Sequence, residues 1–247
     1  MTDRRVDVRD TYDRIATHFA STREYAWPEV EAFVDRVEGG RVGLDLGCGN
    51  CRHAELLAGC TDRVLGLDIS RGLLETGRTR AADREFAGRL ELVQGDCAQL
   101  PLERDAVDLA VYVATLHHLP TREARIASLD ELARVLTTDG RALVSAWSTA
   151  HDRFAEYDGD GHPIEGGDAA GDDDGSEGFD TTVEWTLPGG ERVDRFYHIY
   201  TPAEFAADLE ASALETERLE LSSGNCYADV TADENRNSLK RTPKRGE

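Results

Sequence analysis

Lysine is almost missing from this chain of 247 residues: only Lys240 and Lys244 are present, against 49 aspartates and glutamates, and the formal charge is −21. That shortage excludes the broad basic surface with which ordinary nucleic-acid binders attract phosphate at long range. The acids recur all along the chain, which excludes a single acidic patch made for a basic partner. An acid-rich, lysine-poor surface suits solubility in molar salt, where the Debye length is about 3 Å, so a salt-accumulating, halophilic source is expected. No apolar run reaches the roughly 20 residues that span a bilayer and no signal-peptide pattern is present, so a cytoplasmic protein without membrane contact is expected. Cysteines are few and odd in number, five, which implies reduced thiols. Cys48-x-x-Cys51 alone has metal or redox spacing, and without a second such pair no metal site is expected.

A chain of this length can bury one large core, and strands alternating with helical stretches indicate an α/β doubly wound sheet. Val8, Tyr12, Ile15, Ala16 and Phe19 form a helical stripe, and residues 29–37 repeat the pattern behind Pro28, a good first-turn residue. Helices are expected at 52–58, 71–84, 122–136 and 202–209, and strands at 42–46, 63–68, 90–94, 106–113 and 141–147, with strand-like segments at 183–187, 193–200 and 215–221. Residues 156–180 hold ten acids and seven glycines in 25 positions. Such a composition buries too little to offset its ordering entropy, so a mobile loop is expected. Residues 237–247 hold four bases and read as frayed.

The chemistry starts at Arg41-Val42-Gly43-Leu44-Asp45-Leu46-Gly47-Cys48-Gly49-Asn50. A short buried strand runs into two glycines that let the backbone turn and approach a ligand closely. The next strand ends in Asp68, about 20 residues past the glycines, where an acid can accept hydrogen bonds from both ribose hydroxyls. Dinucleotide enzymes use a third glycine, and here that position is Arg52. The Asp-x-Gly-x-Gly pattern of Asp45, Gly47 and Gly49 instead resembles motif I of class I S-adenosylmethionine (SAM) methyltransferases. A carboxylate beside the loop suits the sulfonium and ammonium cations of SAM. Gly95-Asp96-Cys97-Ala98 is similar to the family segment whose acid meets the adenine amino group, and residues 106–120 are similar to its fourth motif and the segment lining the methyl-transfer cleft. The resemblance implies a Rossmann-like, doubly wound sheet of seven strands with helices on both faces. It also implies a cofactor set of Asp45, Gly47, Cys48, Gly49, Asn50, Asp68, Ile69, Asp96, Cys97 and Ala114, with Cys51 where relatives often carry a third glycine. One methyltransferase domain over residues 1–247 is expected: a helical cap 1–40, a SAM-binding core 41–150, the acidic Gly-rich loop 151–182, the C-terminal part of the sheet 183–232, and a flexible tail 233–247.

Three segments outside the core bring arginine, histidine and aromatics: residues 22–28, 117–125 and 195–200. Segments at carboxyl ends of strands line one crevice, so the second faces the sulfonium and the others are expected to close over it. Tyr12-Asp13-x-Ile15-Ala16-x-His18-Phe19, Thr22-Arg23, Trp27-Pro28, His117-His118, Thr121-Arg122-Glu123 and Arg195-Phe196-Tyr197-His198-Ile199-Tyr200 together resemble the tRNA methyltransferases that esterify 5-carboxymethyluridine at the wobble position. Where that family has an Asp-Asn-Trp-like segment, this chain has Gly224-Asn225-Cys226-Tyr227. A haloarchaeal member of that family is the reading. The resemblance assigns acceptor orientation to Arg23, His118 and Arg122, and support of the nucleoside to Arg195, Tyr197 and His198; His117 reads as a packing residue. It further implies a tRNA anticodon loop as partner and a small zinc-ribbon activator protein that completes a sheet edge. In high salt the repulsion between this acidic chain and phosphate is screened, so a local cleft of arginines and aromatics can still hold an anticodon loop. Two other readings stay open: methylation of a small carboxylate or quinone-like metabolite, and a non-catalytic SAM-binding partner.

Overall fold

Two helices, α1 (Arg4–Ser21) and α2 (Pro28–Arg36), precede β1 (Gly40–Leu46), after which α3 (Arg52–Cys60), β2 (Thr61–Asp68), α4 (Arg71–Asp83) and β3 (Leu90–Gln94) follow. β4 (Val107–Val113), α5 (Arg122–Val135) and β5 (Leu136–Trp147) complete the motif-bearing half. Next come β6 (Phe179–Thr186), β7 (Arg192–Ile199), α6 (Pro202–Ala211), β8 (Leu214–Ser222) and β9 (Asn225–Ala232). The structure, a computed structural model, describes residues 4–154 and 177–233, with side chains from residue 7 onward.

The central sheet has seven strands in the order β3-β2-β1-β4-β5-β9-β8, parallel as far as β5, with β9 and β8 antiparallel. β1 and β4 are buried along almost their whole length, as parallel strands covered on both faces must be, which explains their unbroken apolar runs. One core layer joins Leu44, Tyr112 and Leu129 to Phe205 of α6. The other joins Phe33 of α2 and Leu57 of α3 to Val64 and Val111. Helices therefore flank both faces, as expected. Helix starts follow local chemistry: Ser70, Thr121 and Thr201 each accept a bond from the backbone three residues on. Pro28 and Pro202 occupy first-turn positions where a missing N–H costs nothing.

Two expectations are corrected. The segments near 183–187 and 193–200 do not enter the central sheet; β6 and β7 pair as a separate antiparallel hairpin that packs on α1 and on the turn after β4. The sheet is completed instead by β8 and β9, and β9 lies outside every strand expected from the residues. Its sequence, Asn225-Cys226-Tyr227-Ala228-Asp229-Val230-Thr231-Ala232, lacks a clean apolar alternation because it is buried on both faces between β5 and β8. The acidic loop and the tail lie almost wholly outside the described residues. At the loop's margins Asp152–Phe154 form a helical turn and β6 starts at Phe179 rather than 183, because Phe154 and Phe179 pack together with Val183, Tyr197 and Ile199. No helix among the described residues is long and apolar enough to cross a membrane.

Candidate active site

β1 lies between β2 and β4, the point where strand order reverses direction, and the crevice at the carboxyl ends of these strands is the expected ligand position in such sheets. The glycine loop there is held by two bonds onto one carbonyl: Gly47 and Cys48 N–H both donate to Leu67 O, at 2.7 and 2.9 Å. Gly47 has φ +72°, and a Cβ on it would lie 2.2 Å from Thr115 Oγ1, in the segment after β4. Gly47→Ala is therefore expected to lose roughly 1–3 kcal/mol in urea unfolding, from overpacking and a strained backbone; unchanged stability would contradict this packing. Gly49, with φ +53°, faces open space where a Cβ would meet no atom within 4 Å. Cys51 also has a positive φ, +61°, as suits a position that elsewhere holds glycine, and its Sγ lies 2.5 Å from where a Cβ of Gly77 would stand. Ala114, φ +53°, is a second non-glycine residue in the left-handed region beside the crevice, and such strain concentrates at functional sites.

The crevice has a volume of about 890 Å³ including its open mouth. Gly47, Cys48, Gly49, Asn50, Asp68, Ile69, Asp96, Cys97 and Ala114 all line it. Asp45 does not: it is 1 % exposed, and its carboxylate accepts from Ala54 N–H at 2.9 Å, bracing the start of α3. Burial raises its carboxyl to about 7. Successive side chains of a strand face opposite ways, and that of Asp45, two positions before Gly47, points away from the ligand face, which spacing in the sequence does not reveal. Asp68 faces the crevice while Gly49 N–H and Ser70 N–H each donate to it at 2.8 Å. Burial outweighs these bonds and raises its carboxyl to about 6. Asn50 Nδ2 donates to the carbonyls of Ala20 and Arg23, at 3.3 and 2.8 Å, and so ties the loop to the end of α1.

On the acceptor side the expected residues separate. Arg23 and His118 line the crevice. Arg23 lies over the rings of Phe19 and Trp185, at 4.9 and 5.6 Å, and among the described residues no carboxylate lies within ion-pair distance of it. Arg195 and Tyr197 are buried one layer behind it, bonded to each other at 2.6 Å. Arg122 and His198 lie outside the site. Arg122 Nε donates to the buried Asp208 at 2.6 Å, and His198 bridges Asp180 and Glu204, at 2.9 Å each. Successive residues of a strand face opposite ways, so Arg195 and Tyr197 point towards the crevice and His198 away from it. Burial disfavours the charged form of His198, but the two carboxylates prevail and raise its pKa. His117 packs, as read: it is 1 % exposed, stacked on Tyr197 at 4.9 Å. Residues to which the sequence reading assigns no site role also line the crevice: Tyr12, which belongs to the apolar stripe and to the segment that carries the family resemblance, and Arg52 and His53. Arg52 stacks over Trp27 at 5.1 Å, has no acid partner within ion-pair distance among the described residues, and is lowered to about 10 by burial and by Arg23. The signal available for it was a basic residue inside a ligand loop of an acid-rich chain.

The crevice fits the cofactor implied by the motifs: a carboxylate for a ribose, open space over Gly49, and the guanidinium of Arg52 beside the loop for a negatively charged end. The chain matches the model of the methyltransferase domain family over residues 44–144. A tRNA (carboxymethyluridine(34)-5-O)-methyltransferase of Arabidopsis thaliana is 36% identical over 141 residues, 57% of this chain and 32% of the relative, so the chain spans about a third of that protein's length. A putative methyltransferase of Encephalitozoon cuniculi is 32% identical over 190 residues, 76% of this chain and 78% of the relative. The solved DhpI–SAH complex superposes with TM-score 0.65 at 18% identity, covering 92% of this chain and 96% of that one. The putative methyltransferase solved with the Haloferax volcanii Trm112 methyltransferase activator superposes with TM-score 0.62 at 16% identity, covering 91% and 97%.

Proposed function

Because this chain belongs to the class I S-adenosylmethionine-dependent methyltransferase family, we propose that it esterifies the carboxylate of a 5-carboxymethyl-type wobble uridine in tRNA. The observation that carries this reading is Arg23, a guanidinium that has no acid partner among the described residues and lines the cofactor crevice of a chain with 49 acids. The name of the Arabidopsis relative supports the same acceptor.

S-adenosylmethionine, when bound, supplies an electrophilic methyl on its sulfonium. Gly47 to Asn50 would hold its amino-acid end, Asp68 the ribose, and Asp96 with Ile69 and Cys97 the adenine. An acceptor carboxyl has an ordinary pKa of about 4, so it arrives as a nucleophile and needs no base. His118 is suited to such a reaction: burial lowers its pKa to about 4, so at neutral pH it is uncharged. Arg23 orients one carboxylate oxygen and leaves the other free to attack in line. Arg23→Lys keeps the charge and loses the planar fork, and is expected to lower turnover roughly 10- to 100-fold with cofactor affinity intact. Arg122→Lys, at a residue that does not line the crevice and is bonded to Asp208, is expected to leave turnover within about twofold. The reverse ranking in a methyl-transfer assay would remove Arg23 from this role.

The decisive experiment is mass spectrometry of wobble nucleosides from a strain lacking the protein. Loss of the methyl ester is expected; its persistence, with labelled methyl entering only a small-molecule fraction, would favour a metabolite acceptor. A small zinc-ribbon activator would extend one of the two edge strands, β3 or β8, by adding a strand.

A further inference from the structure

Tyr12 begins a hydrogen-bond chain that runs through His118 and ends on β7. Tyr12 Oη lies 2.9 Å from His118 Nε2, and His118 Nδ1 lies 2.8 Å from the Phe196 carbonyl, while beside them Arg195 Nη1 donates to the Tyr197 hydroxyl at 2.6 Å. A guanidinium only donates and a carbonyl only accepts. The first rule makes Tyr197 an acceptor from Arg195. The second makes Nδ1 the protonated nitrogen of neutral His118, so Nε2 accepts and Tyr12 donates. Followed from the Phe196 carbonyl, both protons point the same way, and the neutral ring has a single tautomer. Tyr12 and His118 both line the crevice, yet the chain has already used the proton of one and the lone pair of the other.

We infer that Tyr12 is a positioning residue: by keeping its proton on Nε2 it holds His118 as the neutral Nδ1–H ring, so the acceptor carboxylate oriented by Arg23 meets no second cation. This rests on the carboxylate reading above. A charged imidazole there would hold the carboxylate by a charge-assisted bond, roughly twice as strong as a neutral one, and weaken its attack on the methyl. The groups facing His118 are Tyr12 from α1, Arg195 and Tyr197 from β7, and His117 beside it, with Arg23, Asp68 and Asp96 around the same crevice. Burial and Arg195 disfavour its charged form, and the Phe196 bond works against them. The bond from Tyr12 can be accepted only by the uncharged ring, so its loss must raise the pKa.

Long-range proton–nitrogen NMR of the ring is expected to show protonated Nδ1 and bare Nε2 between about pH 6 and 8. Tyr12→Phe should raise the affinity of His118 for a proton about tenfold or more. Its kcat for ester formation on tRNA should then fall on acidification where the native enzyme's does not, with KM for S-adenosylmethionine unchanged. Tyr197→Phe, which leaves the Tyr12–His118 bond, should shift His118 less. A bare Nδ1 in the native protein, or equal His118 titration in native and Tyr12→Phe protein, overturns the inference. If Tyr12→Phe does not fold, the native tautomer and a Tyr197→Phe shift smaller than about twofold support it, and a bare Nδ1 or a larger shift overturns it. If the native enzyme esterifies no tRNA carboxylate, the acceptor reading fails while the NMR result still decides the role of Tyr12.

Discussion

Asp68→Ala is expected to weaken binding of S-adenosylmethionine, measured by calorimetry, by about 1.5–3 kcal/mol, the value of a lost charge-assisted acceptor. Each oxygen of Asp68 already accepts one backbone N–H, from Gly49 or Ser70. A carboxylate offers about four acceptor directions, so a ribose hydroxyl can still be taken by each oxygen. Unchanged affinity would remove the ribose assignment. The pH dependence is a second test of the same group. Burial raises the carboxyl to about 6, and the ligand needs the ionised form, so affinity should fall as pH drops below about 6 and level off above it. Asp68→Asn should abolish that step. The sign for folding is opposite. The ligand-free folded chain holds this proton more tightly than the unfolded chain, so its stability contribution is present below about pH 4 and declines as pH rises to about 6. Asp45, raised to about 7, extends the decline.

Arg125→Met should cause the largest loss of stability, about 3–5 kcal/mol in urea unfolding, because it leaves buried acids without their cation. Arg125 is 3 % exposed and lies between Glu204, at 3.0 Å, and Asp208, at 3.7 Å, over the Tyr200 ring. Asp208 is completely buried and, among the described residues, keeps Arg122 and the Tyr200 hydroxyl as partners when Arg125 is gone. That loss is a large part of the 5–15 kcal/mol typical of a whole domain. Neutralising the acids together with the cation, as Arg125→Met, Glu204→Gln and Asp208→Asn, should restore part of it. A loss below about 1 kcal/mol for the single variant would show that the acids find other partners.

The network explains two residues that the motifs place wrongly. Arg122 and His198 have the chemistry expected of acceptor-binding groups, and their segments do border the crevice. Their side chains converge instead on the Glu204–Asp208 pair of α6, a helix that carries no recognisable motif. In a chain with so many acids, whether a given arginine faces a substrate or a buried carboxylate depends on which helix packs against it. The same holds for β9. Its strand character comes from pairing with β5 and β8 on both sides, not from a pattern of its own.

From the residues alone came the order of β1 to β5 with their helices, the glycine turn, the acid at position 68 and the kind of cofactor. These follow from local rules: periodicity sets each element, and a turn that must approach a ligand needs residues without a side chain. Only the packed structure decided that Asp45 braces a helix rather than a ligand, that β6 and β7 leave the sheet, and that Tyr12 joins the site. Each depends on which way a side chain points and on what a distant segment brings against it, and long-range contact of that kind has no period in the sequence.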